Sequence, residues 1–316
     1  MRGLKTICPS WLLGCGLLLL GSWPAIPVQA EAPDDSRILD RILRTREQIL
    51  QKVAATNAAA APVFLAFLDF DGTILKGDCS EGLNADGRRI YPGLAQVAIE
   101  HGLSMVYPPQ GGFDRFWTDY TNMDMRVGHW LAYPFIPQML RGAPADAVLR
   151  LSQEHFGNTL SNYLMASSVK IIQGLEKGGV QCHIISASAD LFVKGAARSL
   201  GLPTSHIHGI EVRVRDGRLT EELVYPVTWN IGKLEKLKQI AFDIEHAPGG
   251  RKVFAIAGFG DSYSTDGPFL KFIATQSLPA GEPTAVFYGE GAEPAEYQGL
   301  FYQARHSATV SDPRPR

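Results

Sequence analysis

Cysteine is scarce in this chain, with four in 316 residues, and two of these, Cys8 and Cys15, fall near the start. A chain of this length buries a full-sized core without a disulfide scaffold. A surplus of positive charge is missing too. Lys and Arg total 30 against 32 Asp and Glu, a formal charge of −2, which gives no sign of the basic stripe usual in a nucleic-acid binder. No internal repeats are visible, which argues against a repeat architecture. Long apolar runs are also lacking. The run Trp11 to Leu20 is short for a membrane span. With Arg2 and Lys5 before it and Val28-Gln29-Ala30 after it, residues 1–30 read as a secretory signal peptide cleaved after Ala30. Pro24 and Pro27 weigh against a retained anchor. The mature protein is expected to be exported, periplasmic or secreted, with no stable membrane insertion.

What is present is an ordinary globular composition, 45% hydrophobic and 20% charged. Residues 31–62 read as an N-terminal helix and linker, with helical spacing of Ile38, Leu39, Ile42, Leu43, Ile49, Leu50 and Val53. Val63 to Leu68 is a bulky apolar run without polar alternation, as in a buried parallel strand. Residues 78–168 look helical and aromatic-rich. From Lys170 onward helices and strands alternate. Strands are expected at Val180–Ile185, Val253–Ala257 and Thr284–Tyr288, and a hairpin at Ile210–Thr220 around Asp216-Gly217. Helices are expected at Val169–Lys177, Ala189–Leu200, Ile231–Phe242 and Pro268–Ile273. The polar, Pro-rich residues 306–316 read as a loose tail. This order implies an α/β fold: a Rossmann-like, three-layer, mostly parallel sheet with helices on both faces.

Each buried strand with a polar exit carries chemistry. The first ends in Asp69-Phe70-Asp71-Gly72-Thr73, the second in Ser186, and the late strand in Gly260-Asp261-Ser262, with Asp266 five residues on. The helix before that strand carries Lys233. Alone, each is an ordinary turn or surface residue. A parallel sheet gathers strand ends at one edge. Carboxylates for a divalent cation, a lysine and small hydroxyls together suit a phosphoryl group, because magnesium takes hard oxygen ligands and lysine supplies a point charge.

In that order, Asp69-Phe70-Asp71-Gly72-Thr73, Ser186, Lys233 and Gly260-Asp261-Ser262 with Asp266 resemble the haloacid dehalogenase superfamily, and within it the phosphatases with a helical cap. The resemblance runs from about Val63 to Tyr288. It implies a core of residues 63–77 plus 169–305 and an inserted cap of residues 78–168. It implies magnesium-dependent hydrolysis of a small phosphomonoester through an aspartyl-phosphate on Asp69, with Asp71 as general acid and base. Thr73, Ser186 and Lys233 would serve the phosphoryl group. Asp69, Asp71 (through its carbonyl), Asp261 and Asp266 would form the metal site. Dehalogenases lack the second aspartate, so Asp71 favours phosphoester hydrolysis. A phosphotransferase to an alcohol, or a non-catalytic phospho-ligand binder of the same fold, are the alternatives. Four residues separate Asp261 from Asp266 where many relatives have three.

The resemblance implies a small phosphorylated metabolite as partner, and the layout looks most like phosphoserine phosphatases and extracytoplasmic relatives acting on phosphocholine or phosphoethanolamine. Glu81 falls near where phosphoserine-type enzymes face the substrate amine; its other reading is a solvated loop carboxylate. Trp117, Tyr120, Trp130 and Tyr133 read either as a cage for a quaternary ammonium or as the core of a small helical domain. Cys79 and Cys182 read either as a pair or as two separate buried residues.

Overall fold

A computed structural model describes residues 34–55, 61–276, 284–306 and 308–312. The signal-peptide reading at residues 1–30 lies outside them. The elements run α1 (Asp34–Ala54), β1 (Val63–Leu68), α2 (Leu94–Glu100), α3 (Gly112–Val127), α4 (His129–Gln138), α5 (Ala145–Asn158), α6 (Ala166–Lys177), β2 (Gln181–Ala189), α7 (Asp190–Lys194), α8 (Ala197–Leu200), β3 (Ile207–Arg215), β4 (Arg218–Val224), α9 (Ile231–His246), β5 (Val253–Gly260), α10 (Tyr263–Ala274), β6 (Ala285–Phe287) and β7 (Tyr302–Gln303). Among the described residues, no helix is long and apolar enough to cross a membrane.

Strand β1 is apolar throughout because it sits in the middle of the sheet. The strand order is β4-β3-β2-β1-β5-β6-β7, and every pairing is parallel except β3 with β4. Alternate side chains point to opposite faces. Phe64, Ala66 and Leu68 enter one core with Ile38 and Ile42 of α1 and Ile171 and Ile172 of α6. Val63, Leu65 and Phe67 enter the other with Leu237 of α9 and Phe269 and Leu270 of α10. The result is a Rossmann-like α/β sandwich of three layers. Leu68 is level with Ile184 of β2 and with Phe259 of β5, so the three polar strand exits open at the same edge.

Helices α2 to α5 lie between β1 and β2 in the chain. The two linkers that carry them pair with each other. Met165 N–H donates to the Ile74 carbonyl at 2.8 Å, and Lys76 N–H to the Tyr163 carbonyl at 2.9 Å. The tail was expected to be loose, but residues 308–310 add to this pairing. Ala166 N–H donates to the Ala308 carbonyl at 3.0 Å and Val310 N–H to the Leu164 carbonyl at 2.8 Å. Backbone groups left open at the linker edge take partners from the tail, and polarity of sequence gives no sign of that.

Other differences are local. Strand β2 runs on past Ile185 to Ala189, because pairing with β3 overrides the weak strand preference of Ser and Ala. The helix expected over Ala189–Leu200 is two short helices, interrupted around Gly195, a poor helix former. Strand β7 has two residues and no pattern to announce it. Cys79 and Cys182 are both free and buried, which settles their pairing in favour of separate residues.

Strand β2 also buries His183. Its ring stacks on His206 at 4.3 Å, and its Nδ1 lies 3.5 Å from His208 Nε2. Burial, with His206 and His208 beside it, pushes its pKa down to about 3, and burial with nearby Lys236 and Lys194 pushes His208 down to about 4. Both are neutral when folded, whereas in the unfolded chain they take up a proton near pH 6.5. Their contribution to stability is therefore complete above pH 6.5 and is lost as pH falls toward 3 to 4. Each proton costs about 1.4 kcal/mol per pH unit across that window. With urea midpoints measured from pH 7.5 to pH 4, this component is expected to show as the difference between the wild type and His183→Leu, the variant gaining on the wild type as pH falls.

Candidate active site

The first loop turns out of β1 at Asp69, whose N–H donates to the Phe259 carbonyl at 2.9 Å. Gly72 then takes φ of +76°, and a side chain there would run into the Asp261 carboxylate. Glycine is required on both counts.

Lys233, on the first turn of α9, is fully buried and bonds two carboxylates. It donates to Asp69 and, at 2.6 Å, to Asp266 Oδ1. Asp266 Oδ2 accepts the N–H groups of Asp261 and Ser262 at 3.0 and 3.1 Å. Asp266 therefore anchors both the lysine and the loop carrying Asp261. The five-residue spacing puts it in the first turn of α10, where a carboxylate meets free backbone donors. Burial opposes the ammonium, yet Asp266 and Asp69 together hold Lys233 above the ordinary lysine value. Burial and Asp266 outweigh Lys233 at Asp69 and raise its pKa to about 6. Burial, with Asp69 and Asp266 nearby, raises Asp261 as well.

Asp71 is held from two sides. Cys79 N–H donates to its Oδ1 at 2.7 Å, and Ser188 Oγ donates to its Oδ2 at 2.7 Å. Ser186 reaches the same oxygen at 3.4 Å. Ser186 itself is buried, and its backbone carbonyl accepts the Thr228 hydroxyl at 2.6 Å. Burial and then Asp78 push the Asp71 pKa well up. Thr73 is also buried, its hydroxyl 3.4 Å from Asp69 Oδ2 and its carbonyl taken by Ser168 at 2.6 Å. The structure thus brings Asp69, Asp71, Thr73, Ser186, Lys233, Asp261 and Asp266 to one place.

A cleft of about 710 Å³ opens over this group. Its wall carries Asp69, Asp71, Asp78, Glu81, Asp261 and Glu290, with Lys76 as the opposing charge. Glu81 faces the cleft, accepts the Tyr120 hydroxyl, and is raised to about 8 by burial and Asp78. Tyr133 lines the same wall and stacks on His129 at 4.6 Å. The four-aromatic cage does not form. Trp130 is 59% exposed, and Trp117 packs among Phe113, Tyr120 and Arg89. Helical spacing cannot tell a cavity wall from a packed or outward face.

Asp78, Ser188 and His306 escape the sequence reading. Ser188 had a signal, since side chains two apart on a strand share a face, and Ser186 had already been picked out. His306 arrives at the cleft from the tail, stacked on Tyr288 at 3.9 Å, and nothing nearby in the sequence marks it.

One oxygen from each of Asp69, Asp261 and Asp266 lies within 4.8 Å of the others. Hard oxygen donors in a pocket short of positive charge suit a divalent cation such as Mg²⁺. The haloacid dehalogenase-like hydrolase family model matches residues 66–271, more than half of the chain. The chain belongs to this family. Solved structures are similar to it as well. A protein of unknown function from Bordetella pertussis Tohama I has a TM-score of 0.56 at 18% identity, covering 77% of this chain and 99% of that one. A functionally unknown protein from Anaerococcus prevotii DSM 20548 has 0.53 at 14% identity, covering 85% and 91%. A phosphoserine phosphatase solved as a phospho-aspartyl intermediate analogue scores 0.44 at 16% identity, covering 79% and 96%. No curated protein matches by sequence.

The charge pattern around Lys233 makes its removal costly. In Lys233→Met the two carboxylates it bonds stay buried without a counter-charge, and the expected loss is about 3–5 kcal/mol in urea unfolding. Adding Asp266→Asn is expected to recover part of that loss.

Proposed function

We propose that this haloacid dehalogenase-like hydrolase is a Mg²⁺-dependent phosphomonoesterase that acts outside the cytoplasm on a small, amine-bearing phosphoester. The observation that carries the reading is the convergence of Asp69, Asp71, Lys233 and Asp261 at the sheet edge, under a cleft sized for a metabolite. Export rests on the leader at residues 1–30 and is part of the proposal.

In the first step the Asp69 carboxylate attacks phosphorus. An Asp69 O–P bond forms, the ester P–O bond breaks, and Asp71 gives its proton to the departing oxygen. In the second step water attacks the phosphoryl group, Asp71 takes the water proton, and the Asp69 O–P bond breaks to release phosphate. Both steps place negative charge beside Lys233, whose bond to Asp69 also fixes the nucleophile. Mg²⁺, held by Asp69, Asp261 and the Asp71 carbonyl, would neutralise phosphoryl charge. Asp266 would support that site from behind, since Lys233 and two backbone N–H groups occupy its oxygens. Burial readies Asp71 for its acid role by raising its pKa.

The acidic wall supports a cationic substrate. Six carboxyl groups against Lys76 leave the cleft rim poor in positive charge for a bare phosphoester. A substrate amine placed against Glu81 and the Tyr120 and Tyr133 side offsets that charge. Helices α2 to α5 stand between β1 and β2 as a cap would, and α4 brings Tyr133 and Ile136 to the cleft.

Asp69→Asn is expected to stop phosphate release from every phosphoester tested while its circular dichroism stays unchanged, and EDTA is expected to abolish wild-type turnover until Mg²⁺ is returned. Persistent turnover in Asp69→Asn would overturn the mechanism. Product analysis with added alcohol separates hydrolysis from transfer. On a panel pairing phosphoserine, phosphoethanolamine and phosphocholine with glycerol phosphate, Glu81→Gln is expected to lower kcat/KM by about tenfold or more for the amine-bearing members alone. With phosphocholine, whose ammonium does not titrate, a proton on Glu81 competes with the substrate below its pKa of about 8. The KM is therefore expected to rise as pH falls below 8, and Glu81→Gln is expected to remove that component of the dependence.

A further inference from the structure

Ser188 stands out because it makes the shortest side-chain bond to the acid–base carboxylate, although the family motif points to Ser186. Its Oγ lies 2.7 Å from Asp71 Oδ2, against 3.4 Å for Ser186 and 3.7 Å for the Cys79 thiol. Ser186 also accepts the Ser188 N–H at 3.0 Å, which ties it to the strand. Behind Ser188 stands a second hydroxyl, since Ser80 Oγ donates to Ser188 Oγ at 3.1 Å. Ser80 is 1% exposed and Ser188 5% exposed, so water does not substitute readily for either bond.

We infer that Ser188, backed by Ser80, is the positioning residue that sets the orientation of the Asp71 carboxyl for proton transfer. The inference rests on the reading of Asp71 as acid and base. A hydroxyl has one proton to give. Ser188 gives its proton to Asp71 and accepts from Ser80, so the donor order is Ser80, then Ser188, then Asp71. A hydroxyl already accepting a bond is polarised to donate more strongly. Cys79 N–H grips the other carboxyl oxygen at 2.7 Å. Bonds at both oxygens set the plane of the group, and they come from different parts of the chain. Cys79 and Ser80 belong to the linker entering the helical segment, and Ser188 to the end of β2. The proton donor is therefore held across the boundary between the sheet and that segment.

The test separates orientation of the acid from general support of the site. An alkyl leaving group needs a proton as it departs, and a nitrophenolate does not. Release of alcohol from an alkyl phosphoester and of nitrophenol from p-nitrophenyl phosphate is followed in single turnovers of the Mg²⁺-supplied protein. Ser188→Ala is expected to slow alkyl ester cleavage about tenfold, with nitrophenyl ester cleavage slowed by less than about threefold and KM within about twofold. Ser80→Ala is expected to give a smaller loss with the same preference, and Ser188→Thr, which keeps the hydroxyl, to restore alkyl cleavage. Thermal unfolding of each variant checks that it folds. Equal losses on the two esters in Ser188→Ala, or no loss, would overturn the inference. Asp71→Asn separates the two levels. If it slows both esters equally, the acid–base reading fails and this inference with it. If it penalises the alkyl ester selectively while Ser188→Ala does not, the inference alone fails.

Discussion

The buried ammonium of Lys233 is the constraint on which the rest depends. One positive charge is shared by Asp69 and Asp266, all three shielded from water. Removing charges from water is costly, and the cost is recovered only when geometry and further hydrogen bonds are good. Here the further bonds come from the backbone that carries Asp261. The lysine helix, the first loop and the loop after β5 are therefore locked to one another before any substrate arrives. Such preorganisation is what electrostatic catalysis needs, because donors and charges aimed in advance need no reorganisation during the reaction.

Lys233 does not balance the site. Asp69, Asp71, Asp78 and Asp261 all have raised pKa values, with burial the leading cause at each. A pocket in that state favours partners that bring positive charge. One at the sheet edge and another at the Glu81 wall would satisfy it from both ends. Under the proposed function, the electrostatics of the cleft bears on the class of ligand more than its volume does.

The sheet and the motif residues were legible in the sequence because both follow from local rules. An unbroken apolar run marks a central strand, and polar exits from such strands meet at one edge wherever the strands are parallel. That places Asp69, Ser186 and Asp261 together without knowledge of a single contact. The arrangement of the aromatics was not legible, since Trp117, Tyr120 and Trp130 belong to one aromatic-rich stretch but have different neighbours, and Trp130 falls on a second helix beyond Gly128. Glu81 was ambiguous for a similar reason: a loop carboxylate is solvated or buried according to what folds over it, and here Tyr120 comes from α3 to meet it. Ser188 was within reach of the period-two rule. His306 and the tail were not, because their partners are remote in sequence and their composition is that of free chain.

The pairing of the tail with the two linkers bears on the order in which the molecule assembles. Ile74, Leu164 and Val310 are brought side by side from distant parts of the chain. Closing such long loops costs entropy before any contact repays it, as the pairing of β1 with β5 also does, so none of these pairings is an early, local event. The linkers that carry helices α2 to α5 are thus secured by contacts as remote in the chain as those of the sheet itself. Asp69 and Asp261 on the strand ends, and the linkers beside them, come into place through the same kind of long-range closure. A complete cleft is in this sense a property of the whole folded chain, finished by residues that contribute nothing to the central strands.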